Sequence, residues 1–142
     1  MDINLFGDRP LFKECVEILN AEILSWEESE TLTEAFEKSY PIAPWGKVDW
    51  ENVKNKLEIG YEPEDIMPAF YKLLYKSADT SVYILCDDAM LPLIKTNLTQ
   101  IIKYYDYVTC ISPHKFIFNP FERYIIEILS GGKITIGIVP KN

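Results

Sequence analysis

A single histidine, three scattered cysteines and no long apolar run set the first limits on this chain. One histidine, His114, cannot make a two-histidine acid–base pair, and no HExxH or Cys/His zinc spacing occurs. No GxSxG elbow occurs either, so Ser–His–Asp catalysis has no support. The SGGKIT stretch resembles a phosphate loop only superficially. The first glycine of GxxxxGK[ST] would fall at Glu127, and Ile134 stands where Ser or Thr is required. His114 follows Pro113 and reads as an exposed loop residue.

Cys15, Cys86 and Cys110 form no CxxC pair, and their odd number reads as reduced thiols. Cys15 falls on an apolar helical stripe and Cys86 in an apolar run, so both read as packing residues. The opening MDINLFGDRP has neither the basic region nor the apolar run of a signal peptide, and no segment approaches the length of a membrane span. The sequence therefore predicts a cytoplasmic protein with no membrane partner, and no residue set suggests a cofactor.

What is present fits one soluble domain over residues 1–142, with 48% hydrophobic, 25% charged and 13% aromatic residues. The net charge of −8 is unevenly spread. Residues 1–65 hold 16 acids against 6 Lys/Arg, whereas residues 66–142 hold 6 against 8. An acidic surface disfavours nucleic acid and anionic lipid and favours basic proteins; solubility alone is the plainer account of the same charge.

Hydrophobic periodicity predicts an amphipathic helix from Pro10, with Phe12, Val16, Leu19, Ile23 and Trp26 on one face and an end between Asn20 and Glu28. Residues 27–40 read as a polar second helix, pinned by Leu32, Ala35 and Phe36, with a Glu34–Lys38 pair on its surface. YPIAPWGKVDW (40–50) reads as an ordered loop, because flexible linkers seldom contain tryptophans such as Trp45 and Trp50. Each ring either plugs the core or lies at a binding face. Asp49 is expected to cap a helix reaching Leu57. An acidic loop with Glu58, Glu62, Glu64 and Asp65 then precedes a helix through Ile66, Ala69, Phe70 and Leu73.

From Ser81 the texture becomes strand-rich. SVYILC (81–86) and YVTCIS (107–112) read as strands flanking a helix through Leu91, Ile94, Leu98, Ile101 and Tyr105. KFIF (115–118) reads as a third strand. YIIEILSGGKITIGIV (124–139) is the strongest signal, two isoleucine-rich strands joined at Gly131-Gly132, where both glycines are expected to supply positive φ. The predicted fold class is α+β, α/β sandwich-like: a mixed, mainly antiparallel sheet packed by helices, with room for one parallel crossover.

Two features stand out as chemistry. Asp87-Asp88 at a strand end is either an ordinary cap or a carboxylate pair for a divalent cation, and no partner cluster accompanies it. Glu127 interrupts an apolar strand; inward it needs donors, outward it is an ordinary surface residue.

Three phrases, YPIAPWGKVDW, SVYILCDDAMLPLIKTNL and FIFNPFERYIIEILSGGKITIGI, together resemble bacterial immunity proteins of contact-dependent growth inhibition and related polymorphic toxin systems. The resemblance spans roughly residues 40–138 and rests on turn glycines, caps and core strands. It implies a non-enzymatic protein that binds and neutralises a cognate toxin C-terminal domain, many such toxins being basic nucleases, with no direct nucleic-acid partner. Charge and exposure, rather than the family, select Trp45, Trp50, Glu58, Glu62, Glu64, Asp65, Asp87 and Asp88 as candidate partner-binding residues. An acidic α+β interaction or regulatory module without a toxin, and a metal-dependent enzyme using Asp87 and Asp88, are the alternatives.

Overall fold

The computed structural model describes residues 1–44, 46–74 and 81–139. The C-terminal hairpin forms as the sequence predicts. Strands β6 (Tyr124–Ile128) and β7 (Ile134–Ile138) pair antiparallel, with Ile126 opposite Ile136. Its turn differs from the expectation in one respect. Leu129 N–H donates to the Lys133 carbonyl (3.0 Å) and Gly132 N–H to the Leu129 carbonyl (2.8 Å). That is a three-residue loop closed by one left-handed residue, Gly132, at φ +93°. Gly131 needs no positive φ.

Around the hairpin, strands β1 (Glu22–Ile23), β2 (Asn55–Gly60), β3 (Ser81–Cys86), β4 (Ile94–Asn97) and β5 (Lys115–Asn119) complete a seven-stranded sheet in the order β1-β4-β3-β5-β6-β7-β2. Every pairing is antiparallel, so the parallel crossover expected between residues 81 and 112 does not exist. The reason is the extra strand β4. It carries the chain back alongside β3 before two short helices deliver it to the far side of β3.

Helices α1 (Pro10–Leu19), α3 (Ile66–Leu74), α4 (Leu98–Lys103) and α5 (Tyr105–Thr109) cover one face of the sheet, and α2 (Trp26–Ser39) with the 40–53 loop covers the other. Strand alternation sorts the core between them. Tyr124, Ile126, Ile128, Ile134 and Ile136 pack under the four helices, whereas Ile125, Phe116 and Phe118 meet Phe36 and Tyr40 on the α2 side. Burying each of these isoleucines contributes about 1.5–3 kcal/mol, so the hairpin anchors both layers.

Five local expectations are corrected. The first helix stops at Leu19 because Asn20 takes a left-handed conformation (φ 51°), a usual helix end. Ile23 then enters β1, and Trp26 opens α2 behind a Ser25–Glu28 capping box. Residues 50–57 are not a helix: a short 3-10 turn at Trp50–Asn52 leads into β2, where Leu57 and Ile59 alternate with Lys56 and Glu58. The helix expected from Leu91 begins only at Leu98, where the Asn97 side chain accepts from Gln100 N–H (2.9 Å); Ile94 lies in β4. YVTCIS supplies part of α5, with Val108 buried against α1 and α4 neighbours in the core, so tertiary packing overrides its strand-like composition. Glu34 and Lys38 form no ion pair. Cys15 and Cys86 are buried, and burial pushes their thiols up to about 12 and about 11 respectively, as suits inert packing residues.

Gly137 is where the 40–53 layer approaches the sheet most closely. A Cβ there would stand 2.5 Å from Trp50 Cζ3, 3.1 Å from Val53 Cγ1 and 3.2 Å from the Asn55 carbonyl oxygen. Gly137→Ala is therefore expected to destabilise the fold by about 1–3 kcal/mol through overpacking. Thermal melts of Gly137→Ala, Trp50→Ala and the double variant check this: the double variant should be less destabilised than the sum of the two singles, because removing the ring removes the clash. Additive losses would show that the ring is not what excludes the methyl group.

Candidate functional site

Glu127 faces the α2 side and is 2% exposed. Its Oε2 accepts from Val48 N–H (2.9 Å) and lies 3.0 Å from His114 Nε2, while its Oε1 accepts from Trp50 Nε1–H (2.8 Å). An ionised carboxylate can only accept, so His114 Nε2 carries the proton in this bond. Burial alone would raise the Glu127 carboxyl, but the bonds from His114, Val48 and Trp50 outweigh it and hold the group below its ordinary value. His114 is thus not the exposed loop histidine that its position after Pro113 suggests; it is 8% exposed, its ring tilted against that of Phe116. Tyr40 closes the other end of the same loop, its hydroxyl donating toward the Tyr124 carbonyl (3.0 Å) and the Asn119 carbonyl (3.2 Å).

Register puts Cys86, Lys115, Ile128, Ile134 and Gly60 in successive strands at one end of the sheet. The loops that leave β3 and β2, carrying Asp87-Asp88 and Glu62, Glu64 and Asp65, therefore emerge at that same end. Four strand steps separate them, about 19 Å at the usual spacing. Two stretches far apart in sequence thus share one acidic rim. Glu58, Glu62, Glu64, Asp65 and Asp87 are exposed. Glu58 pairs with Lys133 at 3.0 Å, a surface contact of little energetic weight. Glu64 and Asp65 lie in the turn immediately before α3, where the helix dipole favours them.

The remaining candidates are differently placed. Asp88 is engaged within the chain: its Oδ1 accepts from Met90 N–H (2.9 Å) and its Oδ2 pairs with the Arg9 guanidinium. The Met90 N–H and then Arg9 hold its carboxyl below the ordinary range. It caps a turn rather than a helix, and among the described residues no group of three or more His, Cys, Asp or Glu is arranged to hold a metal ion. Trp50 is half-buried with its indole nitrogen directed inward. Trp45 lies outside the described residues.

Beside the acidic rim, between α2 and the 87–93 loop, runs a groove of about 490 Å³. Phe36, Leu85, Leu93 and Phe116 contribute to its lining, as do Glu30, Glu34, Glu37, Asp87 and the Arg9-paired Asp88, and among the described residues no Lys or Arg lines it. The three glutamates were not singled out from the sequence, although their 4-and-3 spacing places them on one face of a helix. What sequence could not supply was the partner wall, which comes from a loop more than 50 positions away.

Fold and site together define an acidic α+β protein with exposed carboxylates at one sheet end and along one groove, an arrangement suited to gripping another macromolecule. The family comparison specifies this class: the model described as "CdiI immunity protein EcoliA0-like" matches residues 9–137. The chain belongs to the CdiI immunity protein family of contact-dependent growth inhibition systems, with an immunity function against a toxin partner. A comparison with curated protein sequences gives no match. Among the described residues, no helix is long and apolar enough to cross a membrane.

The Glu127 network carries a pH signature. Its folded carboxyl is more acidic than in the unfolded chain, where it titrates near 4.5. The unfolded state therefore binds the proton first, and this part of the stability is present above about pH 4.5 and is lost as the pH falls through the folded value. Glu127→Ala, which strands three donors, is expected to cost about 3–5 kcal/mol. Glu127→Gln should also be destabilised at pH 7, yet lose less further stability than wild type on acidification. Denaturant unfolding at pH 7, 5 and 3 checks both, and parallel pH dependences for wild type and Glu127→Gln would refute the assignment.

Proposed function

We propose that this chain is a cytoplasmic binding inhibitor, without catalytic activity of its own, that neutralises the C-terminal domain of its cognate toxin, a basic nuclease. The family match over residues 9–137 carries the immunity reading. The net charge of −8, with exposed acids gathered where β2 and β3 end, favours a cationic target. A nuclease cleft is electropositive because it must hold phosphates, so an acidic protein surface can compete for it. The inhibitor itself needs neither nucleic acid nor membrane as a partner.

In this reading the exposed rim of Glu58, Glu62, Glu64, Asp65 and Asp87 meets the toxin first, and Trp45 and Trp50 of the 40–50 stretch are further candidate contacts. Dispersed exposed charges accelerate encounter, whereas a few well-buried contacts set the lifetime of the complex. Asp88 contributes by holding its loop through Arg9 and Met90.

The test pairs the chain with the toxin domain encoded immediately upstream of it. Wild type should co-purify with that domain, protect cells that express it and block its nuclease activity. Replacing Glu58, Glu62, Glu64 and Asp65 together by Lys should slow association by roughly ten-fold or more at low salt, with the difference shrinking as the Debye length falls below about 10 Å. An unchanged association rate would remove these residues from the docking face, and a toxin neither bound nor neutralised would sink the functional reading.

A further inference from the structure

We propose that the groove between α2 and the 87–93 loop is the seat for a Lys- or Arg-led segment of the toxin; this rests on the immunity reading above. The walls supply acids from two separate elements. Glu30, Glu34 and Glu37 stand on one face of α2, and Asp87 faces them from the loop after β3. Among the described residues, none of these four side chains has an ion pair or a hydrogen bond. Glu34 in particular does not use the lysine one turn along. Like charges at i, i+4 and i, i+3 destabilise a free helix, and a cation lodged between the walls relieves that repulsion.

The two side-chain hydroxyls of the groove already bond within the chain. The Ser29 hydroxyl accepts from Leu93 N–H (3.0 Å), and the Thr33 hydroxyl donates to the Ser29 carbonyl (2.7 Å). Carboxylates are thus the acceptors left for a ligand. Phe36, Leu85, Leu93 and Phe116 add apolar surface, and Trp26 stands at the rim 50% exposed. An apolar surface beneath carboxylates matches the two parts of a long basic side chain, an aliphatic stem and a charged head. The indole at the rim can also stack on a guanidinium. A neutral or acidic peptide would leave the four carboxylates unpaired on desolvation. A second copy of this acidic chain would bring like charge to the same place.

Two variants test the seat against the toxin domain encoded upstream. The triple variant E30K/E34K/E37K reverses one wall, and Asp87→Lys reverses the other from a loop, so the second reads out even if the first unfolds; circular dichroism and melting report folding of both. Each folded variant should bind at least about ten-fold more weakly than wild type, chiefly through faster dissociation. The neutral triple variant E30Q/E34Q/E37Q should fall between wild type and the lysine variant. If wild type binds and neutralises the toxin while either folded reversal binds within about two-fold of it, the groove is not the seat and the immunity function stands. Failure of wild type to bind would overturn the function and the groove together. Self-association of the free chain that E30K/E34K/E37K abolishes would make a second copy the occupant and overturn the assignment.

Discussion

The carboxylate of Glu127 organises the α2 side of this molecule. It stands in the middle of an apolar strand, where an unpaired charge would be prohibitively costly. The cost is met by three donors from two segments: Val48 and Trp50 in the long loop after α2, and His114 at the start of β5. The loop has little regular structure of its own, beyond an Ile42–Val48 bridge and a 3-10 turn. Glu127 inside it and Tyr40 at its edge give it one position on the sheet. Gly137 completes the fit, since the Trp50 ring occupies the space a side chain there would need.

That fixed layer has a consequence at the surface. With the loop seated, α2 packs through Phe36 and Ser29 and leaves its glutamate face open beside the β3 terminus. The acidic residues of the molecule are then no random coat. Antiparallel register gathers the loops after β2 and β3 at one end, and α2 adds a second acidic wall nearby. In the proposed reading this divides the work physically: the exposed rim would act over distance, and the groove would offer desolvated contacts at close range. Asp88 shows why charge alone is a poor guide to such a surface, because its partner Arg9, 79 positions earlier in the chain, engages the charge in holding a turn.

How far the residues announced this arrangement varies by element. The hairpin was legible because two isoleucine-rich runs joined at Gly131-Gly132 have one reading, and α1 was legible from its apolar stripe. Residues 50–60 and 91–112 were not. Val53 and Leu57 are spaced like a helix, yet Leu57 and Ile59 alternate like a strand, and pairing with β7 decided between them. Leu91, Ile94, Leu98 and Ile101 follow a helical spacing that is broken by the chance to pair β4 with both β3 and β1. The Asn97–Gln100 cap was a local signal for the true helix start. Glu127 was visible as an anomaly, but its direction and its donors were not.

By itself, then, the sequence determined the α+β class, the terminal hairpin, the uneven acidity and, through three phrases, the immunity family. These depend on local periodicity, composition and motif, which a linear chain carries directly. Tertiary structure alone decided that the sheet is wholly antiparallel, that His114 is buried against Glu127, and that Glu30, Glu34 and Glu37 face Asp87 across a groove. Each of those facts is a meeting of residues distant along the chain. Such meetings are set by strand register and by the burial of one shared core, neither of which any local stretch contains.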